Sequence, residues 1–224
     1  MPRIGPRRIW ITRTQPQAYA TAERLAEMGL APVVSPVLIA RTVPADIDLA
    51  DVAALAFTSA AGVRAFAEAS PGRGLPVLAV GGATAEAARA AGFAHVLVSK
   101  GDVEALADLI AAARPSLVLA PTAREPAADL PALLAARGVR ARSVVVYETV
   151  PTETPAPADI EAVLVHSPRA ARIVADLITA EQATALTAFA ISEAAAAPLL
   201  ALPFAQIAVA PFPDEASLLH LLQG

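Results

Sequence analysis

The chain repeats itself once, at nearly constant spacing. AFTSAAGVRAF (Ala56–Phe66) matches LVHSPRAARIV (Leu164–Val174), so Ser167 lies 108 residues after Ser59. LAVGGATAEAA matches FAISEAAAAPL, with Gly81 and Ser192 111 residues apart. A helical stretch closing on Gly29 matches one closing on Gly138, 109 residues on, and GDVEALADLI matches FPDEASLLHLL. Alanine-rich sequence inflates any single match, so the weight lies on the shared order. Such a set means duplication of a whole unit, not a solenoid of short repeats. Each copy alternates β-branched runs such as RIWIT, LPVLAV and HVLVS with alanine-rich stretches such as AYATAERLAEMG and DVEALADLIAAA. This predicts an α/β fold of two similar domains, each a parallel sheet flanked by helices. Repeat spacing alone would divide the chain near its middle.

Composition narrows the chemistry. A length of 224 residues suits one large or two small domains, and 56% hydrophobic residues supply their cores. The formal charge of -4 gives no general attraction for nucleic acid, and no nucleic-acid partner is expected. An anionic ligand remains compatible, held by local arginines and helix N-termini. With no cysteine, disulfides, thiolate metal sites and a cysteine nucleophile are excluded. His95, His166 and His220 lack metal-ligand spacing, so no metal site is expected. His166 adjoins Ser167, but no acid stands at a recognisable spacing, which argues against a nucleophilic triad.

The N-terminal MPRIGPRRIWITR has no apolar stretch of signal length. Ala194–Phe212 runs 19 residues without formal charge, yet Pro198, Pro203 and Gln206 interrupt it. It reads as a buried helix followed by a buried strand, not a membrane span. The expectation is a soluble, cytoplasmic protein with no membrane partner.

Several short motifs offer polar groups at strand ends. In FTSAAGV, Ser59 stands where a strand gives way to a helix and can accept from the orphan N–H groups of the first turn. In HSPRAA, Ser167 does the same, and Pro168 takes the first helical position. Both are ordinary caps, or caps that also present N–H groups to a ligand beyond the strand ends. VGGATAE places Gly81, Gly82 and Thr84 after a strand; the glycines let backbone approach a ligand, and Thr84 can cap. It is neither the dinucleotide fingerprint nor a P-loop. SKGDVEAL puts Asp102 at a helix entry, with Lys100 within reach of an anion. PTAREP has capping-box spacing from Thr122 to Glu125, with Arg124 near the expected helix start. Arg13 ends the first strand. VVVYETVP reads as a strand running out to a proline stop, with Tyr147 inside it.

In their order and spacing, AERLAEMG, AFTSAAGV, LAVGGATAEAARAAG, KGDVEALADLI, SVVVYETVP, LVHSPRAA and PFPDEASLLHLL resemble the uroporphyrinogen-III synthase family over almost the whole chain. The resemblance implies two α/β domains joined by a two-stranded linker. One domain comprises residues 1–32 and 151–224, the inserted one residues 41–143, and the linker strands residues 33–40 and 144–150. It implies a lyase that closes hydroxymethylbilane to uroporphyrinogen III without cofactor or metal, as a monomer in tetrapyrrole and heme biosynthesis. It also implies transient handover from hydroxymethylbilane synthase. Family positions fall on Ser59, Thr84, Tyr147 and Ser167, with the tyrosine as proton donor to the departing hydroxyl. Arg13, Gly82, Lys100, Arg124 and Ser192 join the expected substrate contacts. A phenol suits the donor role because it keeps its proton at neutral pH. AISEAAAAP departs from the family's second glycine motif: Ser192 replaces glycine, Ala195 replaces threonine, and Glu193 brings negative charge nearby.

Overall fold

The computed structural model describes residues 7–223. Its strands are β1 (Arg8–Ile11), β2 (Ala31–Val34), β3 (Leu38–Thr42), β4 (Ala54–Phe57), β5 (Val77–Val80), β6 (Val96–Ser99), β7 (Val118–Ala123), β8 (Ala141–Pro151), β9 (Ala162–Val165), β10 (Thr187–Ala190) and β11 (Gln206–Val209). The helices are α1 (Gln17–Glu27), α2 (Ala60–Ala69), α3 (Gly81–Ala90), α4 (Val103–Ala113), α5 (Leu130–Ala135), α6 (Pro168–Leu177), α7 (Ala180–Ala183), α8 (Glu193–Ala196) and α9 (Glu215–His220), with a 3-10 turn at Ala197–Ala201. The chain divides into two compact units. Unit 1 holds the described residues up to Ile39 and from Val150 onward; unit 2 is Ala40–Thr149.

Unit 1 carries a five-stranded sheet in the order β11-β10-β9-β1-β2, with every pairing parallel. RIWIT is apolar at successive positions because β1 is central and buried on both faces. Ile9 and Ile11 pack with Leu25, Leu164 and Leu218 on one face. Trp10 packs on the other with Val163, Val165, Val174 and Leu199, and its indole N–H donates to the Ser35 carbonyl at 2.7 Å. Each such fully buried side chain contributes about 1.5–3 kcal/mol of transfer free energy.

Unit 2 carries a six-stranded sheet, β3-β8-β7-β4-β5-β6. Leu55 and Phe57 face the α2 side with Val63 and Phe66. Ala54 and Ala56 face the α4 side with Leu106, Ile110 and Leu130. Set aside β3, and the order β6-β5-β4-β7-β8 repeats β11-β10-β9-β1-β2 strand for strand. The matching strands β4 and β9 contain the matching Phe57 and Val165. In both sheets, consecutive connections run outward in opposite directions from a central pair, β1/β9 in unit 1 and β7/β4 in unit 2. That reversal point, beyond the strands' carboxyl ends, is where open α/β sheets place ligands.

Three local expectations are corrected. Thr84 does not cap: it lies inside α3, which starts at Gly81 with no side-chain cap, and is 6% exposed. Gly81 has φ +68°, so the chain turns directly from β5 into α3 through a conformation that glycine alone adopts freely. Thr122 and Glu125 form no capping box, because Thr122 continues β7 and Asp129 caps α5 instead. A strand partner satisfies the backbone there, so the spacing has no helix end to serve. In Ala194–Phe212 the helix is a four-residue α8 tightened into the 3-10 turn, where Pro198 sits. The following β11 is a half-buried edge strand, not a buried one. No helix among the described residues is long and apolar enough to cross a membrane.

Candidate functional site

In unit 2, Tyr147 comes to Ser59 through an irregularity in β8. The β7–β8 register pairs Pro121 with Val144 and Thr122 with Val145, then skips a residue to pair Ala123 with Tyr147. Val144 packs against the Val63 and Phe66 cluster. In a regular strand, Tyr147, three residues on, would point to the opposite face. The bulge re-aims it to the α2 side, where Tyr147 Oη lies 3.0 Å from Ser59 Oγ. Ser59 Oγ also accepts the Gly62 N–H at 3.0 Å, as the N-cap of α2.

Gly62 was not anticipated. A Cβ there would lie 3.2 Å from the Pro121 carbonyl oxygen and 3.7 Å from the Tyr147 ring. Its lack of a side chain lets the first turn of α2 close over the phenol. The available signal was a glycine inside an otherwise alanine-rich helix start.

Arg124 is not at a helix start. It follows β7, and its Nε donates to Glu148 at 3.0 Å, while Arg41 holds the other carboxylate oxygen at 2.6 Å. Hydrogen bonds from Arg41 and then Arg124 lower the Glu148 carboxyl below its ordinary range. Gly82 is exposed in the first turn of α3, with open space where a Cβ would stand. Lys100 is exposed in the turn between β6 and α4, beside the cap Asp102.

Unit 1 builds its strand ends from charge. Arg13 and Thr21 both hydrogen bond to Glu215, in the first turn of α9, and His166 Nε2 lies 3.2 Å from the same carboxylate. Burial pushes the Glu215 carboxyl up, but His166, Thr21 and Arg13 outweigh it and hold it at about 2. Neither His166 ring nitrogen has a well-directed hydrogen-bond partner among the described residues. Arg13 is therefore committed to an internal carboxylate. The acid missing from the sequence reading of His166 is Glu215, 49 residues further along the chain and brought near only by folding. Ser167 caps α6 through the Ala170 N–H, and Ser192 caps α8 through the Ala195 N–H. Ser192 has φ -162°, an ordinary extended value, so glycine is not required where Gly81 requires it in the other copy. Ala195 is fully buried and Glu193 exposed.

The β1–β9 register pairs Ile11 with Leu164 and, continued by two residues, sets Arg13 beside His166. The β4–β7 register pairs Leu55 with Leu119 and, continued by three residues, sets Thr58 beside Thr122. Since Ser59 matches Ser167, these are equivalent places. Unit 2 has a cavity there of about 190 Å³, lined by Thr58, Thr122, Ser143, Pro126, Asp129 and Leu130 among others. No group of three or more metal-ligating His, Cys, Asp or Glu side chains occurs among the described residues.

The chain is thus a two-unit, doubly wound α/β protein with hydroxyl and charged side chains at the carboxyl edges of its sheets. The family model described as uroporphyrinogen-III synthase HemD matches residues 19–220, and the chain belongs to that family. Two solved structures share the fold. Uroporphyrinogen-III synthetase from Helicobacter pylori is 18% identical, with 97% of this chain and 98% of that one covered and a TM-score of 0.66. A mutant uroporphyrinogen III synthase from the extremely thermophilic bacterium Thermus thermophilus is 18% identical over 97% of each chain, with a TM-score of 0.50. No curated protein matches the chain.

Proposed function

We propose that the chain closes hydroxymethylbilane to uroporphyrinogen III, releasing water and inverting ring D. Family membership supports this reading, and the 3.0 Å contact between Tyr147 and Ser59 carries its chemistry. Ser59 Oγ already accepts from Gly62, so its own proton is available to the phenol oxygen. The Tyr147 O–H is then left to point at a ligand. A hydrogen bond donated to the phenol oxygen also stabilises the phenolate formed when the proton leaves.

In the proposed reaction, the terminal C–O bond breaks and its electron pair departs with oxygen, which takes the Tyr147 proton and leaves as water. The pyrrole electron pair compensates at carbon, giving an azafulvene after loss of the ring N–H proton. The substituted carbon of ring D attacks it to form a spiro intermediate. Fragmentation and reclosure place that ring in reverse, and the proton released on rearomatisation restores the phenol. Gly82, Thr84, Lys100, Arg124, Arg13, Ser167 and Ser192 remain proposed substrate contacts. Of these, Thr84 needs local opening to reach a ligand, and Arg13 must leave Glu215. The protein works as a monomer in the cytoplasm, receives its substrate from hydroxymethylbilane synthase, and serves heme and other tetrapyrrole biosynthesis.

The test is turnover of freshly generated hydroxymethylbilane, with isomer analysis after oxidation. The type III isomer is expected to dominate. Type I product alone, formed at the rate seen without protein, would sink the reading. The rebuilt Ser192–Ala195 entry favours one alternative, a relative that binds a tetrapyrrole or other polyanion without turning it over. Tight product binding with no type III formation would select it.

A further inference from the structure

We infer that Arg41 and Arg124, held on either side of Glu148, form a seat for one carboxylate of an anionic ligand, and that Glu148 is the residue that positions them. This rests on the tetrapyrrole reading above, whose substrate carries two carboxylates on every ring, and it adds Arg41 and Glu148 to that reading. All three residues belong to unit 2.

Strand register builds the seat. The Val43 N–H donates to the Val146 carbonyl and the Thr152 N–H to the Val37 carbonyl, an antiparallel pairing of β3 with β8 that sets Arg41 opposite Glu148. On the other side of β8, Ala123 pairs with Tyr147, so Arg124 falls beside Glu148. The Arg124 N–H donates to the Tyr147 carbonyl at 2.9 Å and fixes that placement. Neighbouring strands lie about 4.8 Å apart, so the side chains form a row: cation, anion, cation. The row depends on the bulge that aims Tyr147 to the α2 side, because Glu148, the next residue, is thereby turned to the opposite face. Val118 and Ala120 of β7 pack on that face with Leu130, and Arg124 continues their alternation.

One carboxylate faces two guanidiniums, so the row keeps a net positive charge. Arg41 spends Nε and one amino group on a single Glu148 oxygen, at 3.2 and 2.6 Å. Arg124 spends only Nε on the other oxygen, at 3.0 Å. Both amino groups of Arg124 and one of Arg41 make no hydrogen bond to protein among the described residues. Neither guanidinium pairs with the neighbouring Glu125, which is engaged elsewhere. The Arg41 and Arg124 side chains are 65% and 59% exposed and that of Glu148 21%, so the anion lies beneath its two cations. A planar guanidinium already tethered through Nε loses less freedom when its remaining N–H groups take a carboxylate. The seat follows β7 at the reversal point of the sheet, where a ligand is expected. In unit 1 the strand-end cation has no such freedom, because Arg13 is bound to Glu215.

Succinate is the probe, titrated into the full chain at constant ionic strength and followed through the arginine Nε–H resonances. Saturable shifts are expected for Arg41 and Arg124, with none from succinamide, the neutral analogue. Arg124→Gln should weaken succinate at Arg41 about five-fold, the upper scale of one exposed ion pair. In turnover, Arg41→Gln should raise KM for hydroxymethylbilane by about the same five-fold and leave kcat unchanged. Glu148→Gln separates positioning from simple neutralisation. It adds positive charge, which alone would draw in a polyanion and lower KM; loss of the tether should instead raise KM about two-fold. No saturable shift at either arginine, an equal shift from succinamide, or an unchanged KM in Arg41→Gln would each overturn the seat. A fall in KM in Glu148→Gln would overturn the positioning role. Absence of type III product from the unaltered chain would fall on the proposed reaction instead, and the succinate titration would still decide the seat.

Discussion

The two units start from the same strand order and treat the same place differently. At the reversal point of unit 1, Arg13, His166 and Thr21 close on Glu215. At that of unit 2, Thr58 and Thr122 leave a cavity, with Tyr147 and Ser59 beside it on the other face. Duplication kept the scaffold, where backbone pairing and apolar burial set the cost of change. It left the strand ends free to diverge. In unit 1 the edge is tied together by charge; in unit 2 it is left as a cavity.

The largest expected effect breaks the tie. Glu215→Gln leaves Arg13 without its counter-charge and should cost about 2–3 kcal/mol in urea unfolding. That is below the full ~3–5 kcal/mol for a broken buried pair, because Arg13 is 26% exposed. The pH dependence has a definite sign. Glu215 sits at about 2 in the fold against 4.5 unperturbed, so its contribution is complete above about pH 4.5 and fades as pH falls toward 2. Parent and variant should therefore converge in stability in acid; a gap that persists undiminished at pH 2 would refute the assignment.

Helix entry offers the next contrast. Gly81→Ala forces an L side chain into φ +68° and should cost about 1–2 kcal/mol. Ser192→Gly sits at an extended φ and exchanges one tolerated cap for another, so its cost should be a few tenths of a kcal/mol. Equal losses from the two changes in thermal melts would show that the copies enter their helices alike after all.

Tyr147→Phe keeps the ring and removes the proton. Turnover should fall about ten-fold, less than the ~10²–10⁴ of many general acids because the substrate is intrinsically reactive. The fold should stay intact, with stability lower by about 1 kcal/mol for the lost Ser59 hydrogen bond. Unchanged turnover would remove the phenol from the mechanism. The smallest effects distinguish the two serines. Ser59→Ala and Ser167→Ala should each lose about 1 kcal/mol of capping. Ser59→Ala should also lower kcat, since Ser59 is bonded to Tyr147, whereas Ser167→Ala, at a proposed substrate contact, should act on KM and leave kcat unchanged. A matched loss of kcat from Ser167→Ala would erase that distinction.

Much of this was legible locally. Ser59, Asp102 and Ser167 were readable as caps because a strand-to-helix switch and a short acceptor side chain lie within a few residues. Thr122–Glu125 misled for the same reason: local spacing suited a helix, but pairing with β8 kept Thr122 in a strand. Thr84 misled because α3 begins at Gly81, not after it. Arg13 was visible as a strand-end cation, yet its partner lies 202 residues away and carries no spacing signature.

By itself, the sequence determined two copies of an α/β unit, their strands and helices, and the caps that start α2, α4 and α6. These follow from periodicity and short-range hydrogen bonding. Tertiary structure decided where the polar groups point. A one-residue bulge put Tyr147 on the face of Ser59, and strand register set Arg13 beside His166 but Thr58 beside Thr122. Register reverses or aligns whole faces through contacts far apart in the chain, and no local pattern encodes it.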